Sequence, residues 1–118
     1  MDFSFTEEQE AVRDLATRIL TDLATSERLR TFESEPDGDY FDRKIWAELA
    51  AAGLTGIGLP EDVGGAGLGF VETGIIVEAA GRSAAYLPAI ETLAAAAPAL
   101  AHFGTEAQRQ QWLPDRKS

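Results

Sequence analysis

Gly64, Gly65, Gly67 and Gly69 crowd into one short stretch of this 118-residue chain, behind the apolar run Leu54–Leu59 and the turn Pro60-Glu61. Glycine at that density weakens both helix and strand, and it permits positive φ and close backbone approach. A chain with such an interruption therefore folds as two groups of elements joined by a tight, irregular connection. What flanks the connection decides the fold class, and on both sides the pattern is helical.

Thr6 and Gln9 have capping-box spacing, Glu7 and Glu8 suit the positive end of a helix dipole, and Val12, Leu15, Ala16, Ile19 and Leu23 follow at helical intervals. The reading is one amphipathic helix from residue 6 to about 30. Glu33-Ser34-Glu35-Pro36-Asp37-Gly38-Asp39 is polar and broken by proline and glycine, hence a surface loop. Asp42 caps a second helix with Ile45, Trp46 and Leu49 on one face, and Gly53 stops it. Beyond the glycines a third helix spans about Phe70 to Gly81, with Val71, Ile75, Val77 and Ala80 available for packing. Pro88 suits the first turn of a fourth helix carrying Ile90, Leu93, Ala97 and Leu100, which Pro98 should kink or split and Gly104 should end. Thr105 and Gln108 repeat the capping box and open a last helix with Trp112 and Leu113, closed by Pro114. Almost nothing alternates with period two. The expected fold is all-α, a bundle of about five helices with a long glycine-rich connection, in a single domain over residues 1–118. Trp46 and Trp112 are expected as core anchors, and Glu78 at a polar seam. Phe70, Ile76, Leu87 and Ile90 are not required by the core stripes and are expected at the surface.

Composition excludes several functions. Twenty acidic against ten basic residues leave a net charge of -10, which repels phosphate backbones and argues against nucleic-acid binding. The chain has no cysteine, which removes disulfides and thiolate chemistry, and its one histidine, His102, cannot form a multi-histidine or Cys/His zinc site. His102 reads as a capping or packing residue near a helix end. The start Met1-Asp2-Phe3-Ser4 lacks the basic and apolar regions of a signal peptide, and no apolar stretch suffices for a membrane span. A cytoplasmic protein without membrane insertion is expected.

The glycine cluster does not fit a phosphate loop. A dinucleotide fingerprint would need glycine where Phe70 stands, and a P-loop would need a Gly-Lys-Ser/Thr ending where no lysine occurs. Asp37, Asp39 and Asp42 fail the calcium-loop spacing, because Phe41 and Asp42 occupy the places of an oxygen ligand and a glycine. Neither a metal site nor a catalytic residue is expected. Glu91, in a first helical turn, is explained by the dipole alone.

The order of short motifs carries more. Thr6-Glu7-Glu8-Gln9, Trp46-Ala47-Glu48-Leu49 with Ala52-Gly53-Leu54, Leu59-Pro60-Glu61 with Gly64-Gly65-Ala66-Gly67, Gly104-Thr105-Glu106 with Gln108, and Trp112-Leu113-Pro114 run from one end of the chain to the other. In that order they resemble the N-terminal helical domain of the acyl-CoA dehydrogenases. The segment Gly81–Pro88 resembles bacterial members acting on bulky or steroid-type CoA thioesters, several of which are mixed tetramers. The resemblance implies a parent enzyme that uses FAD to oxidise an acyl-CoA between its α and β carbons. The flavin site, most CoA contacts and the base would lie in a middle β domain and a C-terminal α domain absent from this chain. It further implies no FAD on this chain alone, no activity alone, and a homo- or hetero-oligomeric parent. Mapped back from Gly104, it places Glu91, Thr92 and Ala95 on the wall of the acyl channel. The alternative is a non-catalytic helical interaction module or partner subunit derived from the same family.

Overall fold

The computed structural model describes residues 4–35, 38 and 40–114. Met1, Asp2, Phe3, Pro36, Asp37, Asp39 and the segment 115–118 lie outside that range, and with them two of the three aspartates tested above as calcium ligands. The described residues form six α-helices: α1 (Glu7–Leu23), α2 (Ser26–Glu33), α3 (Arg43–Ala51), α4 (Phe70–Ser83), α5 (Ala97–Phe103) and α6 (Glu106–Trp112). Two 3-10 turns, Leu54–Gly56 and Glu61–Val63, sit in the connection between α3 and α4, and a π-helical segment, Ile90–Ala96, runs directly into α5. No strand occurs among the described residues. The body is a plate, 40 × 39 × 21 Å along its principal axes.

The capping residues act as read. Thr6 Oγ1 accepts the Gln9 amide at 3.2 Å while Gln9 Oε1 accepts the Thr6 amide at 3.0 Å, and Thr105 with Gln108 does the same at 3.2 and 2.9 Å. Gly53 leaves α3 with φ +79°, a conformation that costs a side-chain-bearing residue energy.

The long first helix is two helices. Ala24 leaves the α-region with ψ 59°, and Thr25 Oγ1 accepts the Arg28 amide at 3.1 Å to start α2. The hydroxyl offers the backbone a cap in the middle of an apolar periodicity that continues across it. The break turns α2 so that Arg28 meets Asp42 in a two-point ion pair, Nε to Oδ2 at 2.9 Å and Nη2 to Oδ1 at 2.8 Å. Asp42 also caps α3 by accepting the Ile45 amide at 3.3 Å.

The main core draws Val12, Ala16 and Leu20 from α1, Ile45, Trp46 and Leu49 from α3, Leu54 and Ile57 from the connection, Ile75, Ile76 and Ala79 from α4, and Leu93 from the π segment. A second cluster of Leu59, Val63, Ala97 and Leu113 lies under α6. Several expectations change. Trp112 is 56 % exposed, because Leu113 takes the inward position of α6. Ile76 is buried and Val71 exposed, because the inner face of α4 is Thr73, Ile75, Ile76, Ala79 and Ala80. That leaves Glu78 outward in solvent, paired with Arg82 at 3.2 Å rather than at a seam. The fourth helix does divide at Pro98, as read: the π-helical segment Ile90–Ala96 gives way to α5 just ahead of that proline. Phe70 and Ile90 are exposed as expected, while Leu87 is partly buried against the main core.

Between α4 and the π segment, Ala84 takes φ +58° and the chain is held at Tyr86. The Tyr86 carbonyl accepts the Asp42 amide at 2.7 Å, its ring stacks on Phe32 at 4.9 Å between centroids, and its hydroxyl donates to Glu33 at 2.6 Å. That glutamate raises the Tyr86 hydroxyl above its ordinary value, its hydrogen bond being the leading cause.

Thr6→Ala removes a cap whose geometry is complete, and urea unfolding should show a loss of about 1 kcal/mol. Asp42→Asn should cost roughly 2 kcal/mol at neutral pH, below the 3–5 of a fully buried pair because Arg28 stays partly exposed. Hydrogen bonding from Arg28 first, then the Ile45 amide, holds the Asp42 carboxyl below its usual range. A depressed folded pKa stabilises above the unfolded value near 3.8 and is lost as pH falls through the folded one. Stability curves should therefore converge as the medium is acidified below about pH 4, and parallel curves down to pH 2 would refute the assignment.

Candidate functional site

The glycine-rich connection is a loop folded back on itself. Amides of Ala66, Leu68 and Gly67 donate to the carbonyls of Gly56, Ile57 and Leu59 at 3.1, 3.1 and 2.8 Å, and Gly65 donates to Pro60 at 3.0 Å. Residues 56–59 and 65–68 thereby lie side by side, and the buried backbone groups satisfy one another as the packing requires. The approach is closest at Gly65, where an added Cβ would fall inside 3.0 Å of the Leu59 carbonyl. From α6, Arg109 clamps the outer turn, with Nη2 to Asp62 at 3.1 Å and Nη1 to Glu106 at 3.0 Å.

This loop, the start of α4 and the π–α5 helix enclose a cleft of ≈ 410 Å³. Leu54, Ile57, Leu59 and Leu68 line its floor, Thr73 and Leu93 its inner wall, and Phe70, Pro98 and His102 its rim. No Asp, Glu, Lys or Arg lines it, so His102 is its one titratable side chain. The cleft fits apolar matter. It offers no proton relay, no paired carboxylates and no cation for a phosphate.

The N-terminus of α4, directly behind the glycines, is closed to anions by its own sequence. The Glu72 carboxylate accepts the Gly69 amide at 3.0 Å and a Gln9 side-chain hydrogen bond at 3.2 Å, occupying the place a phosphate would take. Its own backbone amide, then Gln9, keep that carboxyl below the usual range, so it is charged at neutral pH. The failed motif spacing and the filled helix end agree: these residues do not fit the diphosphate of a dinucleotide. Among the described residues no group of three or more His, Cys, Asp or Glu could hold a metal, and no helix is long and apolar enough to cross a membrane.

Glu91, Thr92 and Ala95 fall on the π segment rather than in this cleft. Glu91 and Ala95 are exposed and Thr92 is half-buried. Glu91 borders two shallower hollows, one with Val77, Ala80 and Leu87 and one with Tyr40, Phe41 and Tyr86. The three thus share one helical segment, while the larger cleft takes Leu93, Ala97 and Pro98 from its other side. Sequence reasoning had given the glycines, Phe70 and His102 no part in a site. The signal available was a large apolar residue, Phe70, placed directly after the glycines at a helix start.

Gly65→Ala tests whether the loop's closure shapes the cleft. The obstacle is backbone, so the loss of stability should reach about 2–3 kcal/mol, the upper part of the overpacking range. Equal stability in a urea titration would show that the strands of the loop are not held at this distance.

Residues 6–117 match the profile described as acyl-CoA dehydrogenase, N-terminal domain. The acyl-CoA dehydrogenase FadE27 of Mycobacterium tuberculosis is 35% identical over 112 residues, covering 95% of this chain and 30% of that protein. Among solved structures, a chain of the Tcur3481–Tcur3483 steroid ACAD superposes with TM-score 0.85 at 43% identity, covering 94% of this chain and 30% of its own. A chain of the ChsE4–ChsE5 complex from Mycobacterium tuberculosis does so with TM-score 0.90 at 32% identity, covering 99% of this chain and 32% of its own. The present chain spans about a third of the length of the relatives it matches.

Proposed function

Since the chain belongs to the acyl-CoA dehydrogenase family, as its N-terminal domain, we propose that the parent protein oxidises a bulky acyl-CoA thioester and that this domain forms one wall of its acyl channel. In that reaction the thioester loses one hydrogen from the α and one from the β carbon and becomes the α,β-unsaturated thioester. FAD, held elsewhere in the parent protein, is the two-electron oxidant that this chemistry calls for. The middle β domain and the C-terminal α domain would bring the flavin, the base and most CoA contacts.

One observation carries the reading: nearly the whole chain aligns, at 43% identity, with part of a chain named as a steroid ACAD. The chemistry of this domain agrees with that division of labour. The α4 N-terminus is filled by Glu72 and the surface is acidic, so a wall for the acyl group suits this domain better than a cradle for phosphates. Thr92 and Ala95 are small side chains and keep that wall thin. Thin walls leave width for fused rings. Both structural relatives are named as two-component assemblies, which supports a parent built from two kinds of subunit.

Ala95→Phe in the full-length protein tests the wall. Ala95 is exposed on this domain, so the new ring costs the domain itself little and meets mainly what lies opposite. Turnover of a steroid-type thioester should fall five- to hundred-fold relative to a four-carbon one, the kinetic equivalent of about 1–3 kcal/mol of overpacking. Equal effects on both substrates would remove Glu91, Thr92 and Ala95 from the channel. No dehydrogenation of any acyl-CoA by the wild-type protein with its flavin would favour an interaction module instead.

A further inference from the structure

The helix that carries Glu91, Thr92 and Ala95 is wound in an unusual way just ahead of Pro98. Its buried positions are Ala89, Leu93 and Ala97, followed by half-buried Ala101, each four residues after the last. Four residues of an α-helix advance 400°, so an α-helical stripe with this spacing would drift ~40° per step and ~120° over its length. The observed helix avoids the drift by mixing windings. Ile90–Ala96 is π-helical and Ala97–Phe103 is α-helical, and the Ala97 amide donates five residues back to the Thr92 carbonyl. Leu93 can then enter the main core while Ala97 enters the second cluster.

Pro98 has no amide to donate and, in an α-helical register, its ring would strike the carbonyl of Ala94. The wider turn ahead of it removes that collision. The opposite face of the helix feels the same winding. Glu91 and Ala95, also four apart, are both exposed on that face. Wide π turns of this kind concentrate at functional sites.

We propose that Pro98 is a positioning residue for the acyl group. Through the π segment it sets the register in which Glu91 and Ala95 face the channel, and so it fixes the substrate range of the parent enzyme. The inference rests on the acyl-channel reading above. Pro98 acts through the helix and takes no part in the bond changes.

Two variants of the full-length, flavin-loaded protein test it. Deleting Ala96 removes the extra residue of the π turn. Leu93 and Ala97 then become three apart in an α-helix and remain on one face, so both clusters stay filled. Pro98→Ala restores the missing amide, removes the ring and leaves the length unchanged. Each variant is assayed with a steroid-type and a four-carbon acyl-CoA, alongside flavin content and melting temperature. A change of register should shift the ratio of kcat/KM for the two substrates by roughly five-fold or more, mostly through KM of the bulky one, with flavin content retained. A purely structural role would lower stability and leave that ratio alone. Should the deletion fail to fold, Pro98→Ala decides by itself: an unchanged ratio in a folded, flavin-containing variant overturns the proposal. Absence of turnover in the wild-type protein would overturn the acyl-CoA dehydrogenase reading first, which keeps the two failures apart.

Discussion

The arrangement depends on a contact that no side chain could share: the backbone of Gly65 against the carbonyl of Leu59. That approach folds the connection between α3 and α4 into a double layer whose amides and carbonyls satisfy each other. The doubled loop seats Leu54 and Ile57 in one cluster and Leu59 and Val63 in the other, and it turns α4 back along α1. It also provides the floor on which the π–α5 helix lies, with the cleft between them. Much of the plate therefore follows from a loop that contains no regular helix and no ligand-binding motif.

The outer edge of the loop is held differently. Arg109 reaches across from α6 to Asp62 with its side chain 17% exposed, while Leu113 closes the cluster beneath. The apolar contact fixes distance and the ion pair fixes rotation. Together they explain why so short a helix as α6 docks in one orientation and leaves Trp112 outside.

Local chemistry was legible in the sequence wherever one residue type has one physical use. Thr6, Asp42 and Thr105 announce helix starts, Gly53 and Gly104 announce ends, and the glycine cluster announces a loop that is not a phosphate site. What failed to show was the outcome of competition between signals. Thr25 interrupts a helix although apolar spacing continues past it, because its hydroxyl supplies a cap and the break lets Arg28 reach Asp42. Seven-residue α6 is too short for periodicity to tell which of Trp112 and Leu113 points inward. Pro98 signalled a disturbance, but the remedy was written in the four-residue spacing of Ala89, Leu93 and Ala97, which departs from an α-helical stripe. The candidate wall residues Glu91, Thr92 and Ala95 came from family resemblance. Their own chemistry, one carboxylate and two small side chains, marks no site unaided.

Tyr86 joins parts of the chain that are far apart along it, its hydroxyl bonding Glu33 across 53 residues. Closing a loop of that length costs an entropy equivalent to about 3.5 kcal/mol, and the contacts that repay it are one stack and two hydrogen bonds at a half-exposed ring. The stretch from Ala84 to Pro88 contains no fully buried residue, so it should open before the core does. Amide exchange there should run ahead of exchange in α1 and α4.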